Sequence, residues 1–284
     1  MQACRWCGST LCVHAENDAL VEHFTRWEKG RGGGAAALVR ARPELAETEA
    51  VARAIRLAEH SGCRLHLVHL STAEAAGLVG EARRRGLRVS GETCPQYLAL
   101  DRCRLSARDG HLFGCCPPLR DGANREGLWR ALREGWLEAV ATDHCAFSRT
   151  QKDMWGGDFT RIPYGLPGVE TSLSVTFTLG PARRRLSLSA WARAHTEGPA
   201  RIFGLFPRKG TLLPGSDADI LVWDPEIVWS PRPGDMESQL DWNPYQGMRL
   251  RGRARLVFLR GREVARAGRY SGGEPGGKFV KRRT

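Results

Sequence analysis

The chain has 284 residues and 42% hydrophobic content, enough for one large domain or a domain with an appendage. Its net charge of +12 raises nucleic-acid binding, but of the 43 basic residues only Lys29, Lys152, Lys209, Lys278 and Lys281 are lysines, and the clusters Arg83-Arg84-Arg85, Arg183-Arg184-Arg185 and Lys281-Arg282-Arg283 lack interleaved stacking aromatics, so no nucleic-acid partner is expected. No run of about 18 apolar residues and no signal-peptide layout is present, so a cytoplasmic protein without a membrane partner is expected, its nine cysteines reduced.

In chain order, Cys4-Arg5-Trp6-Cys7 invites a zinc-knuckle or redox reading, yet no second C-x-x-C or His pair follows at knuckle spacing. Ordinary thiols on a short helix before a strand over Leu11–Glu16 are the better reading. Residues 18 to 46 read as a long connection at the functional face, with the flexible tract Gly30-Arg31-Gly32-Gly33-Gly34. From Glu47 the pattern turns helical, with Val51, Ala54, Ile55 and Ala58 at three-to-four spacing, and a strand over Arg64–Leu70 follows. Ser71 with Glu74 three residues on predicts a capping box, and the helix it opens runs to Gly86. A strand over Leu87–Glu92, a loop at Thr93–Tyr97, a helix over Asn124–Arg133 and a strand over Leu137–Thr142 continue the alternation of a parallel α/β fold. Beyond it, Gly168–Leu179 and Leu188–Phe203 read as helices. Short strands over Ala218–Trp223, Arg255–Leu259 and Glu263–Ala265 then predict a small β domain with an extended tail from Gly272.

The chemistry-bearing residues stand at strand ends. In Val140-Ala141-Thr142-Asp143-His144-Cys145 an apolar run delivers a carboxylate and an imidazole to the point where a β/α unit opens to solvent, where an acid binds a metal or moves a proton. Taken alone, Asp143 reads as an N-cap. Two other apolar runs shift that balance, because Leu11-Cys12-Val13-His14 and Leu65-His66-Leu67-Val68-His69 also end on histidine, as neutral imidazole ligands of zinc need.

The chain resembles the C-terminal part of an amidohydrolase of the hydantoinase and dihydropyrimidinase family. The matching stretches include Val13–Asn17, Val68–Ser71, Glu92–Leu98, Pro117–Arg120, Ala141–Cys145, Gly157–Pro163, Gly165–Glu170, Pro207–Thr211, Gly215–Ile220, Asn243–Met248 and Gly277–Arg282. The resemblance implies the α/β class, with about the last four units of a (β/α)₈ TIM-type barrel over residues 1–205 and the C-terminal part of a small β-sandwich over 206–284. It implies two zinc ions, a small cyclic amide as substrate, and a homo-oligomer, which in the family is a tetramer. Carried over by position, His14 and His69 match two imidazole ligands of one ion. Asp143 matches the ligand of the other ion that shuttles the proton to the leaving nitrogen. Cys116 and Tyr164 fall where the family's loops contact the ring amide, although the family usually has Ser and Asn there. The family's His-x-His and carboxylated lysine have no counterpart here; the resemblance places both ahead of Met1. The expectation is therefore a metal-dependent cyclic-amide hydrolase, inactive or impaired as this chain alone. A non-catalytic scaffold related to dihydropyrimidinase and an allantoinase-like or dihydroorotase-like hydrolase are the alternatives.

Overall fold

Four short strands, β1 (Thr10–Val13), β2 (Arg64–Leu67), β3 (Val89–Thr93) and β4 (Ala139–Val140), pair in parallel and in sequence order. Their registers set Val13 beside Leu67, Leu67 beside Gly91 and Thr93 beside Val140, so the ends of β1 and β2 lie level and β3 and β4 run two residues further toward the same edge. The computed structural model describes residues 1–282; Arg283, the end of one basic cluster, lies outside them. Two compact units divide the chain, Met1–Val169 and the part from Glu170 on.

In the first unit the strands are joined by α1 (Gln2–Trp6), α2 (Asp18–Lys29), α3 (Ala37–Ala41), α4 (Glu44–Ser61), α5 (Ala73–Arg84), α6 (Pro95–Ala99), α7 (Gly122–Arg133) and α8 (Arg149–Asp153). The core holds the fully buried Leu65, Leu67, Val79, Leu98, Leu128 and Trp129. Burying a side chain of that size contributes about 1.5–3 kcal/mol. Helix α4 ends at Gly62, whose φ of +68° suits a residue without Cβ. Helices α5 and α7 approach closely at Gly127, where a Cβ would stand 2.2 Å from that of Ala73.

Several boundaries differ from the sequence reading. Residues 18 to 46 are not a connection, because Asn17 caps α2 by accepting a hydrogen bond from Leu20 N at 3.1 Å, and Leu20, Phe24 and Trp27 recur along one helix face. The cap of α5 is Thr72, which accepts from Ala75 N at 3.3 Å, and not Ser71, which turns to Glu47. The expected loop at 93–97 contains α6, which starts on Pro95, where the missing N–H costs nothing.

The second unit opens with α9 (Ser172–Leu179), α10 (Leu188–His195) and α11 (Glu197–Ile202). The expected single helix over 188–203 breaks at Thr196, with φ −132° and ψ −81°. The antiparallel strands β5 (Ile220–Trp229), β6 (Leu250–Leu259), β7 (Arg262–Arg266) and β8 (Arg269–Tyr270) follow in sequence order. Ser174 Oγ on α9 donates to Gly252 O on β6 at 2.7 Å, and Arg251 N donates to Thr178 Oγ1 at 2.8 Å. These bonds tie α9 to the β sheet, so the compact division falls ahead of the 205/206 boundary expected from the sequence. No described helix is long and apolar enough to cross a membrane.

Candidate active site

The shared direction of the parallel strands dictates where the site lies, because any residue just beyond β1, β2 or β4 emerges at the same edge of the sheet. His14 follows Val13 directly, His69 follows β2 by two residues, and Asp143 follows β4 by three. His69 and Asp143 are non-glycine residues with φ of +42° and +45°. Such backbone costs of order 1–3 kcal/mol and persists where the surroundings over-determine it. Hydrogen bonds on both sides hold His69 in place, from Val68 N to Val13 O at 3.3 Å and from Leu70 N to Glu92 O at 2.8 Å.

His14 Nδ1 and His69 Nε2 stand 3.1 Å apart, with ring planes at 66°. Burial holds the His69 pKa below its ordinary value, His14 adds to that, and Asp143 acts in the opposite sense. The imidazole is thereby kept neutral, with a lone pair available. Asp143 is exposed, yet close enough to act electrostatically on His69, Cys94, Cys115 and Cys145. The neighbouring His144 points elsewhere: its Nδ1 accepts from Gly168 N at 3.0 Å. His66 is fully buried and paired with Ser90 and Glu92, which makes it a structural partner of β3.

The expected substrate contacts lie on two loops that Lys152 ties together. Its Nζ donates to Gly114 O at 3.0 Å and Pro163 O at 2.6 Å, two residues before Cys116 and one before Tyr164. Burial pushes the Cys116 thiol far up against the opposing charge of Arg42, so this group is a neutral thiol. Burial likewise pushes the Tyr164 phenol up to about 12; its hydroxyl donates to Phe159 O at 3.1 Å. Neither is a nucleophile at neutral pH.

Sequence reasoning missed a connected set of charges behind His14. His14 Nε2 lies 2.9 Å from Glu16 Oε2, the same oxygen takes a hydrogen bond from Arg42 Nη1 at 2.5 Å, and the Arg42 guanidinium lies 5.6 Å from the Tyr164 ring centroid. Burial raises the Glu16 pKa, but the His14 hydrogen bond and the Arg42 charge outweigh it and hold the carboxyl below its usual range. The signal for Glu16 was its two-residue spacing from His14; Arg42 gave none.

The comparisons with known proteins agree with this architecture. The chain matches the family described as "Amidohydrolase family" over residues 1–264. The chain belongs to the amidohydrolase family. A D-hydantoinase of Geobacillus stearothermophilus is 38% identical over 280 residues, which are 97% of this chain and 59% of the relative. A D-hydantoinase crystal structure superposes with a TM-score of 0.95 at 36% identity, covering 99% of this chain and 62% of that one. The dihydropyrimidinase of Brevibacillus agri NCHU1002 gives 0.93 at 37% identity, over 97% and 60%. The chain thus spans about three fifths of the length of the relatives it matches.

For this amidohydrolase chain the zinc expectation meets a partial fit. Two nitrogens on one tetrahedral zinc, each at about 2.0–2.1 Å, stand ~3.3 Å apart, close to the observed separation of the two imidazoles. Among the described residues, however, no three His, Cys, Asp or Glu side chains gather around one point as a ligand set. The resemblance assigns Asp143 to the second ion, so a trio with both histidines is not what it requires.

One pH effect follows from Lys152. Burial holds its ammonium down to about 8, against an ordinary 10.5. Between those values the unfolded chain binds the proton and the folded chain does not, so this group makes stability rise with pH from about 8 to 10.5. Below that window both states are charged and the burial penalty is complete. Urea unfolding across this range should show wild type gaining on Lys152→Met as pH rises; a constant difference contradicts the assignment.

Proposed function

We propose that this chain carries the proton-transfer and half of the metal-binding machinery of a hydantoinase-like or dihydropyrimidinase-like hydrolase that opens a cyclic amide. The observation that supports it is the His14–His69 pair, set at tetrahedral ligand spacing on the same sheet edge as Asp143. The four parallel strands are read as half of a (β/α)₈ barrel, and the four antiparallel strands as part of a β-sandwich. When bound, zinc supplies a polarised carbonyl and an activated water. His14 and His69 would hold one ion; Asp143 would take the proton of the attacking water and give it to the ring nitrogen as the C–N bond breaks. Neutral Cys116 and Tyr164, fixed by the Lys152 tie, would seat the ring amide through their loops.

Two imidazoles alone leave an ion short of its usual four ligands, so the chain should bind zinc weakly and lose it on dialysis. Cobalt(II) titration followed by its visible absorption checks the site. Weak binding should be abolished in His14→Ala and in His69→Ala; tightly retained zinc, or binding indifferent to both substitutions, counts against the reading.

A further inference from the structure

We propose that Glu16, clamped by Arg42, is the positioning residue that fixes the tautomer of His14 and so makes Nδ1 its metal-binding atom. The inference rests on the proposed function only for the identity of the metal pair; the tautomer itself follows from contacts within the chain.

A carboxylate accepts hydrogen bonds and cannot donate, so the imidazole nitrogen 2.9 Å from Glu16 Oε2 must be the one carrying hydrogen. That nitrogen is Nε2. In the neutral ring Nδ1 is then left with its lone pair, directed at His69 Nε2 at 3.1 Å. With no ion between them, His69 Nε2–H donates to that lone pair. His69 Nδ1 is consequently an acceptor, and it is buried without a hydrogen-bond partner among the described residues. For both rings to hold an ion, His14 Nδ1 and His69 Nε2 would each have to present a lone pair, and His69 would then carry its proton on Nδ1. The tautomer of His69 would therefore depend on the metal, whereas that of His14 is already the one Glu16 sets.

Glu16 can do this because it is buried and held by a second partner. Its side chain is 3% exposed, and Arg42 Nη1 grips the same oxygen that faces His14. Arg42 is anchored in turn: the buried Arg120 donates from Nη1 to Arg42 O at 2.7 Å and from Nε to Ser71 Oγ at 3.0 Å. A carboxylate behind a histidine ligand, orienting the ring and fixing its proton, typically changes metal affinity 10–100-fold when removed.

The test uses the full chain labelled with ¹⁵N-histidine, read by long-range ¹H–¹⁵N correlation without metal, together with cobalt(II) affinity by chelator competition. Wild type should show His14 as the Nε2–H form. Glu16→Ala should show mixed His14 tautomers and affinity weaker by about 10–100-fold. Glu16→Gln, whose amide oxygen still accepts from Nε2–H, should keep the wild-type tautomer and lose affinity only a few-fold. Where Glu16→Ala does not fold by circular dichroism, Arg42→Met takes its place; it frees the carboxylate from its clamp and should weaken binding several-fold. An unchanged His14 tautomer together with unchanged cobalt affinity in Glu16→Ala, or unchanged affinity in Arg42→Met, overturns the proposal. Loss of the metal in neither His14→Ala nor His69→Ala would instead remove the proposed function, while the tautomer spectra would still decide the role of Glu16.

Discussion

Supplied with zinc, the 284-residue chain should open a 5-monosubstituted hydantoin or dihydrouracil no faster than buffer. A chimera that adds the part of the Geobacillus relative outside the matched 59% should restore turnover. The reason is ligand count. In the proposed reading His14 and His69 would offer two nitrogens to one ion and Asp143 one carboxylate to another, whereas a catalytic zinc needs about three protein ligands to hold a reactive water. Within the active chimera, Asp143→Ala should lower kcat by about 10²–10⁴-fold, the range for removing a positioned proton carrier. Chromatographic detection of the ring-opened carbamoyl product is the measurement. Robust turnover by the chain alone would show that the ligand account is wrong, and an active Asp143→Ala chimera would remove the role given to that carboxylate. The same experiment reads association. Strand β5 lies at one edge of its sheet, with Ile220, Leu221, Val222 and Val228 all exposed, so the chain alone should self-associate and the chimera should do so less.

The second large effect is on stability. Glu47 and Arg120 are 1% and 4% exposed, with Arg120 Nη2 3.6 Å from Glu47 Oε2. Ser71 binds the carboxylate through both its backbone N, at 2.8 Å, and its hydroxyl. Arg120→Met should cost about 3–5 kcal/mol, because it strands a buried carboxylate, and Glu47→Leu alone should cost as much by stranding the guanidinium. The double variant Arg120→Met/Glu47→Leu should recover most of that loss, since neither charge then remains. Burial already pushes the Glu47 carboxyl up, with Arg120 and Ser71 pulling it down. Without Arg120 its pKa rises further above the unfolded value, so the Arg120→Met deficit is largest at neutral pH and shrinks as acid neutralises the carboxyl. Urea unfolding at two pH values decides it; additive losses in the double variant would mean the two side chains act independently.

Much of the first unit was legible because its strands are short apolar runs that end on polar residues. Leu11 to Val13, Leu65 to Leu67 and Leu137 to Val140 each announce a buried strand by composition, and the next polar side chain must emerge at its end. His14, His69 and Asp143 were therefore named from sequence, and the parallel order came from the helices between the strands. Helix α2 was missed because glycines 30 and 32–34 made the whole stretch look like a connection, although its own Asn17 cap and apolar spacing were present.

What the sequence by itself determined is the periodicity: which residues are apolar, where each run stops, and which ligand-type side chain follows. What only the tertiary structure decided is the company those side chains keep. Glu16, Arg42, Glu47, Ser71 and Arg120 come from separate parts of the chain and form one connected set of hydrogen bonds and ion pairs. Lys152 would pass for a surface lysine, yet it is fully buried against two carbonyls. The physical reason is that a strand or helix is fixed by neighbours within a few residues, whereas a buried charge is tolerated only where a distant partner meets it, and that meeting is a property of the packed chain.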